Sequence, residues 1–276
     1  DNKTITASGI TLDGTSKTNY TLSSTSATVN GKIEKATVSI TWGSPTQAVT
    51  YSGAQAVIIA PAISAQGNVS VSVTPAYSYK AQDGTEFKDG LPINAGTYTV
   101  RGSIAESGNL TAAQADMTLT INPASLTVTP NSGQSKEYGA ADPALTYTIT
   151  SGQLYGNDAL TGALTYAGTD VGEYEITQGT LAATGNYTLT VASGVKFTIT
   201  KLSLENAVVT LDAASFTYDG TAKLPAVTVT KGGSPVNAGE YDISYSNSNG
   251  GTGNNTHAGT VTVTVTAKSS GNYSGS

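Results

Sequence analysis

A single histidine, a scatter of carboxylates and an unusual number of tyrosines are the side chains here that could do chemistry. His257 is the only imidazole and there is no cysteine, so a nucleophile relay would have to be built on that one residue. No G-x-S-x-G elbow accompanies it. Phosphate loops, dinucleotide fingerprints and zinc-ligand spacings are missing as well. The carboxylates fall into two groups, Asp83, Glu86 and Asp89 in one loop and Asp142, Asp158 and Asp170 further on. Calcium needs about six to eight oxygens, supplied in organised loops by alternate Asp or Asn residues around a fixed glycine. Neither group has that pattern, and both read as solvated turn residues. Spacing leaves two arrangements open, because both form only in three dimensions: a carboxylate pair for glycoside hydrolysis, and a Lys–Asn isopeptide crosslink. The expectation is a protein with no catalytic residue, no metal and no cofactor.

Tyrosine offers binding chemistry instead. The chain has 15 Tyr against 3 Phe and 1 Trp. Tyr77 and Tyr79, two residues apart, are the candidates for a sugar-stacking pair. Their parity also matches Val69, Val71 and Val73, so the structural expectation is one continuous buried face. The Asn-Tyr pairs Asn19–Tyr20, Asn186–Tyr187 and Asn272–Tyr273 recur. They are expected to form turns, with Asn bonding nearby backbone and Tyr packing inward. At the Gly-x-Tyr phrases Gly96–Tyr98, Gly172–Tyr174 and Gly239–Tyr241, glycine permits a positive φ or a close backbone approach where a strand begins, and tyrosine is expected to supply core area.

The elements that carry these residues are strands. In TVTVTVT at 260–266, Val261, Val263 and Val265 share one face and threonines the other, the two-residue period of a strand. Val38, Ile40 and Trp42 repeat the pattern, as do Leu119 with Ile121, and Val195, Phe197 and Ile199. Threonine keeps its χ1 preference in a strand, which favours sheet. Gly, Asn and Asp clusters such as QDGTEFKDG at 82–90 and SNSNGGTGNN at 246–255 mark turns and loops. Between Leu154 and Leu160 there is room for one helical turn at most.

Composition narrows the partners. Charged residues make up 12% of the 276 residues, and the net charge is −6 with 13 Lys and Arg in all. No basic stripe exists to release counterions from phosphates, so nucleic acid is excluded. No basic amphipathic helix is visible for a membrane surface, and no segment suggests membrane insertion. A cysteine-free, hydroxyl-rich β chain reads as a bacterial exported protein without disulfides. The chain begins at Asp1 inside a repeat and stops at GNYSGS, which reads as a segment of a longer protein.

Phrases return in step. NAGTYTVRGSIAESGNL at 94–110 aligns without a gap to HAGTVTVTVTAKSSGNY at 257–273, and DVGEYEITQGTLAATGNY at 170–187 is the same phrase with one more residue. IEKA at 33–36 returns as INPA at 121–124 and ITKL at 199–202; YSG at 51–53 returns as EYG at 137–139 and YDG at 218–220. The interval of roughly 80 residues is too long for a solenoid unit of ~20–50 and suits small two-layer β domains. The boundaries follow: 1–35 the closing strands of a preceding repeat, 36–123 a first repeat, 124–200 a second, and 201–276 a third that lacks its final strand. The fold expected is all-β, with tandem immunoglobulin-like β-sandwiches in an extended array and β-grasp-like units as the alternative. Junctions such as INPASLTV run from one β segment straight into the next and favour stiffness.

The second repeat, with SLTVTP, KEYGAADPALTYTIT, GNDALTGALTY, VGEYEITQGTL, GNYTLTV and VKFTITK, resembles the MBG-type domain of bacterial cell-surface and secreted proteins. Residues 1–35 resemble the end of the YDG-type domain that often precedes it in adhesins. The third repeat, with FTYDGTAKLPAVTVT, is similar to related repeats of large exported proteins. The resemblance implies a cell-surface or extracellular location and a spacer or adhesin role. It transfers no catalytic or binding residue. Host glycans or extracellular proteins are the partners it allows. Open strand edges at both ends add strand-exchange self-association.

Overall fold

The computed structural model describes residues 2–67, 69–252 and 255–276. All regular structure is β apart from two short 3-10 turns, Lys17–Asn19 and Ala238–Glu240, and no α-helix occurs among the described residues. Between Leu154 and Leu160, where at most one helical turn was expected, Gly156 and Asn157 form a turn that is not helical. The chain divides into two compact units, residues 1–124 and 125–276.

The first unit opens with a hairpin, β1 (Asn2–Ser8) antiparallel to β2 (Ser26–Lys32), which sets Ile5 opposite Val29. Both side chains are exposed, at 58% and 63%. Tyr20 was expected to pack inward and is 70% exposed. The reason is that a two-stranded ribbon has no second layer to cover it.

The rest of the unit holds β3 (Val38–Thr41), β4 (Thr46–Thr50), β5 (Ala62–Ala65), β6 (Ala76–Ala81), β7 (Lys88–Asp89), β8 (Gly96–Ile104) and β9 (Ala113–Asn122). β3 pairs with β5, and the others form a five-stranded sheet in the order β4-β9-β8-β6-β7. Val100, Leu119 and Ile121 are buried at its centre. Val69, Val71 and Val73 form no strand, contrary to their alternation, and Val69 and Val73 are 47% and 37% exposed. Pro75 follows them and has no N–H to give a ladder, so pairing with β8 starts only at Ala76.

The second unit continues with β10 (Ala124–Pro130), β11 (Ser135–Glu137), β12 (Tyr147–Ser151), β13 (Gly172–Glu175), β14 (Tyr187–Val191) and β15 (Lys196–Thr200). Two three-stranded sheets, β12-β10-β14 and β11-β15-β13, make a two-layer sandwich. Val128, Leu164, Ile176, Leu181, Phe197 and Ile199 form the core between them. Phe197 stacks on Tyr166 at 4.1 Å between centroids.

A third assembly follows: β16 (Leu202–Ser203), β17 (Val208–Leu211), β18 (Val227–Lys231), β19 (Ser234–Pro235), β20 (Tyr241–Asn247), β21 (Gly251–Thr252), β22 (Val261–Ala267) and β23 (Tyr273–Ser274). The sheets are β17-β18-β19, β21-β20-β22 and the parallel pair β16-β23. Leu204, Val229, Val236, Tyr241 and Val265 are its buried core.

The sheet β4-β9-β8-β6-β7 and the sheet β11-β15-β13 share a strand plan. β9, the last strand of the first, lies between parallel β4 and antiparallel β8. β15, the last of the second, lies between parallel β11 and antiparallel β13. The tyrosine of the Tyr-Gly phrase closes both ladders in the same way, Tyr51 N–H donating to the Asn122 carbonyl at 2.9 Å and Tyr138 N–H to that of Thr200 at 2.8 Å. A strand paired on both edges and covered on one face buries its alternate residues, which explains why Leu119 and Phe197 are fully buried.

Candidate functional site

β6 pairs with β8 so that Tyr77 faces Gly102 and Tyr79 faces Val100. The missing side chain at Gly102 makes room for rings, since a Cβ there would lie 3.4 Å from Trp42 and 3.8 Å from Tyr77. Trp42 and Tyr77 sit 6.2 Å apart, and the Trp42 indole N–H donates to the Ala115 carbonyl at 3.2 Å. Tyr79 meets the edge of Tyr98 at 5.7 Å. Burial pushes the Tyr77 and Tyr98 phenols up, and the neighbouring Tyr79 adds to the shift at Tyr98. The two candidate tyrosines are half-buried, each against a different ring of their own repeat. Beside them, Arg101 on β8 makes a two-pronged bond to Asp116 on β9, at 2.7 and 2.8 Å, and lies 4.1 Å over the Phe87 ring.

The Gly-x-Tyr phrases build a corner in two repeats. Tyr98 Oη donates to the Asn94 carbonyl at 2.8 Å and Tyr174 Oη to that of Asp170 at 2.7 Å. Each ring folds back over its own glycine, leaving 3.2 Å or 3.3 Å between the phenol oxygen and a Cβ at Gly96 or Gly172. At Gly239 the phrase does something else: Asn237 accepts from the Gly239 N–H at 2.8 Å and caps a 3-10 turn, while Tyr241 enters the core.

The carboxylates separate. Asp83, Glu86 and Asp89 are exposed around the turn into β7. Asp142 takes the Lys136 ammonium at 2.5 Å and the Tyr166 hydroxyl, and these two bonds, Lys136 first, hold its carboxyl below the usual range. Asp158 accepts from Tyr187 Oη at 2.8 Å. Asp170 lies at the Tyr174 corner. Among the described residues, no three His, Cys, Asp or Glu side chains gather closely enough to hold a metal ion. His257 is exposed, and its carbonyl accepts from Asn247 Nδ2 at 2.8 Å.

Asn272 departs from its expected part as a local turn-former. Its Oδ1 accepts from the Val171 N–H at 2.8 Å, and its Nδ2 reaches Asp170 at 3.1 Å and Glu240 at 3.2 Å. Its own N–H donates to Glu240 at 2.6 Å. A Cβ at Gly271 would lie 2.3 Å from Glu240 Oε2, so a side chain there would displace the carboxylate from Asn272. Tyr273 completes the contact by meeting the edge of Tyr138 at 5.5 Å. The Gly-Asn-Tyr phrase at Gly271–Tyr273 is therefore a clamp on the Asp170–Val171 segment of the same unit.

One concavity of about 400 Å³ lies in the third repeat. One wall is the segment 213–218, which forms no strand, and the other is β22, the edge of its sheet. Phe216 and Tyr218 on that first wall are 48% and 68% exposed. Asn255 lines the groove while only 4% exposed, and among the described residues neither its Nδ2 nor its Oδ1 has a hydrogen-bond partner. Nearby, Asp219 is held well below the usual carboxylate range, first by Lys223 at 2.5 Å and then by Thr221. Nothing in the sequence marks Asn255, one of several Asn and Gly in a loop whose residues 253 and 254 lie outside the described ones.

No helix among the described residues is long and apolar enough to cross a membrane, which says nothing of a β-barrel. No curated protein matches the chain. Residues 126–198, the second sandwich with its Tyr138-Gly139-Ala140 phrase, match the family model of the MBG domain (YGX type).

Proposed function

We propose that this chain is a non-enzymatic repeat region of a bacterial cell-surface or secreted protein, acting as a spacer or as a segment of an adhesin. One observation carries this: the side chains repeated between copies are spent on the chain's own structure. Tyr98 and Tyr174 close corners, Tyr187 bonds Asp158, and Asn272 clamps one repeat to the next. The match over residues 126–198 supports a surface-protein module. Single-molecule stretching tests the spacer role. Successive unfolding events, one per folded repeat, are expected, together with no saturable signal in a glycan and mucin screen. A single event at low force overturns it.

Binding of a glycan or host protein by the first repeat is favoured by one feature, the pairing of the only tryptophan, Trp42, with half-buried Tyr77. Saturable binding abolished by Tyr77→Ala, with melting unchanged in the second unit, moves the function there. Strand-exchange self-association is the third element of the proposal, supported by the exposed hairpin β1-β2 and the open edge of β22.

A further inference from the structure

Tyrosine is the side chain this protein holds in surplus, 15 residues in a chain without cysteine. Disulfides are thereby ruled out, and phenols are the most numerous groups left that one-electron oxidation can join. Tyr79–Tyr98, Tyr155–Tyr187, Tyr166–Tyr174 and Tyr138–Tyr273 are pairs in ring contact. In the first three at least one hydroxyl is tied down. Tyr98 Oη donates to the Asn94 carbonyl, Tyr187 Oη to Asp158, Tyr166 Oη to Asp142 and Tyr174 Oη to the Asp170 carbonyl. The last pair differs: among the described residues neither the Tyr138 nor the Tyr273 hydroxyl makes a hydrogen bond.

Their place in the chain is as distinctive. Tyr138 N–H donates to the carbonyl of Thr200, the end of β15, at 2.8 Å. Tyr273 pairs with Leu202, whose N–H donates to the neighbouring Asn272 carbonyl at 3.1 Å. Lys201 alone separates Thr200 from Leu202. The two rings therefore face each other, within the second unit, across the junction between the sandwich β10–β15 and the assembly β16–β23. They meet edge to face, at 5.5 Å and 71°. Both are half-buried, open to a small oxidant and packed enough to keep their partner. Burial, then Tyr138 and the Glu240 carboxylate, push the Tyr273 phenol up. Glu240 is thus near enough to serve as a base for the proton that leaves on oxidation.

We propose that Tyr138 and Tyr273 are a modification site, joined by oxidation into a dityrosine crosslink that staples the sandwich to the assembly beyond Lys201. The co-reactant is a one-electron oxidant, such as a haem peroxidase with hydrogen peroxide. Each phenol gives one electron to the oxidant and its hydroxyl proton to solvent or carboxylate, leaving two neutral phenoxyl radicals. Their spin lies partly on the carbons ortho to oxygen. One carbon–carbon bond forms between a Cε of each ring, the two ortho hydrogens leave as protons, and the two oxygens regain theirs. In sum, two tyrosines and one hydrogen peroxide give one dityrosine and two waters. The rings must close from contact to bonding distance, which a hydroxyl bonded to backbone or carboxylate resists. Tyr79–Tyr98, at 5.7 Å, is held back in this way and Tyr138–Tyr273 is not. The staple is independent of whether the chain acts as a spacer or as an adhesin segment.

Treating the whole chain with peroxidase and hydrogen peroxide tests the site, read by dityrosine fluorescence and by mapping of linked peptides. The expected product is a single chain that has lost two hydrogen atoms, with the Tyr138 peptide joined to the Tyr273 peptide. Tyr138→Phe and Tyr273→Phe keep the ring contact and the melting transition, but each loses that link. Unfolding in urea before oxidation removes it too, because only the fold brings the pair together. Under force, the crosslinked chain no longer releases the length of residues 139–272, about 3.5 Å for each residue. Its melting midpoint rises as well, since a link between distant residues constrains the unfolded chain. No dityrosine in the folded chain overturns the site altogether. Emission as strong in Tyr273→Phe as in the wild type, a product that joins only separate chains, or equal linkage of Tyr79 to Tyr98 overturns the assignment to this pair.

Discussion

Asn272 Oδ1 accepts a hydrogen bond from the Val171 N–H at 2.8 Å, across 101 residues of sequence and from one repeat to the next. The same amide's Nδ2 lies between the Asp170 and Glu240 carboxylates. Short polar side chains ordinarily serve turns in their own neighbourhood. Here the turn delivers its amide to a backbone 101 residues away within the second unit, where Val171 would otherwise keep a half-buried N–H unpaired.

Replacing Asn272 by Ala therefore releases Val171 N–H and leaves two carboxylates facing each other without the bridging amide. Loss of about 1–3 kcal/mol is expected in urea unfolding of residues 125–276. Amide exchange at Val171 should accelerate, while the first unit melts as before. Unchanged exchange at Val171 rules out the clamp.

The Tyr174 ring lies against Gly168, where a Cβ would come within 2.1 Å of ring carbon, and its hydroxyl ends on the Asp170 carbonyl. Gly168→Ala must displace the ring and open the corner, whereas Tyr174→Phe removes one hydrogen bond. The expected losses are about 2 kcal/mol or more for the first and about 1 kcal/mol for the second by denaturant titration. Equal losses would mean that the ring does not rest on Gly168.

Phe197 is fully buried in the last strand of the second repeat and stacks on Tyr166. Phe197→Ala empties the centre of the sandwich, and about 3–5 kcal/mol is lost. Loss of near-ultraviolet dichroism from the second unit while the first keeps its melting transition is the expected result. A small effect shared by both units contradicts the separate cores.

The Asp142 carboxyl is depressed by Lys136 and Tyr166. A depressed folded pKa contributes stability above the unfolded Asp value, about 3.9, and that contribution is lost as pH falls through the lower folded value. Melting temperature of the wild type should fall more steeply below pH 4 than that of Asp142→Asn, and the two should differ most near neutrality. Parallel curves from pH 2 to 6 remove Asp142 from the acid response.

Much of the fold was legible because a sandwich strand writes its environment into alternate positions. Phe197 and Ile199, or Leu119 and Ile121, could be assigned to one buried face from spacing alone. The same rule misplaced Val69, Val71 and Val73. Alternation states which side chains share a face but not whether a backbone partner exists, and Pro75 withholds one. Tyr20 failed for a related reason: its phrase matches Tyr187, yet no second layer covers it.

By itself, the sequence determined the all-β class, the recurrence of the Gly-Asn-Tyr, Gly-x-Tyr and Tyr-Gly phrases and the shortage of histidine and cysteine, since these depend on composition and on patterns only a few residues long. Only the tertiary structure decided what the recurring phrases hold. That Asn272 reaches Val171, that Tyr174 caps Asp170 above Gly168, and that Asn255 lines a groove depend on distances across the fold, to which spacing along the chain is blind.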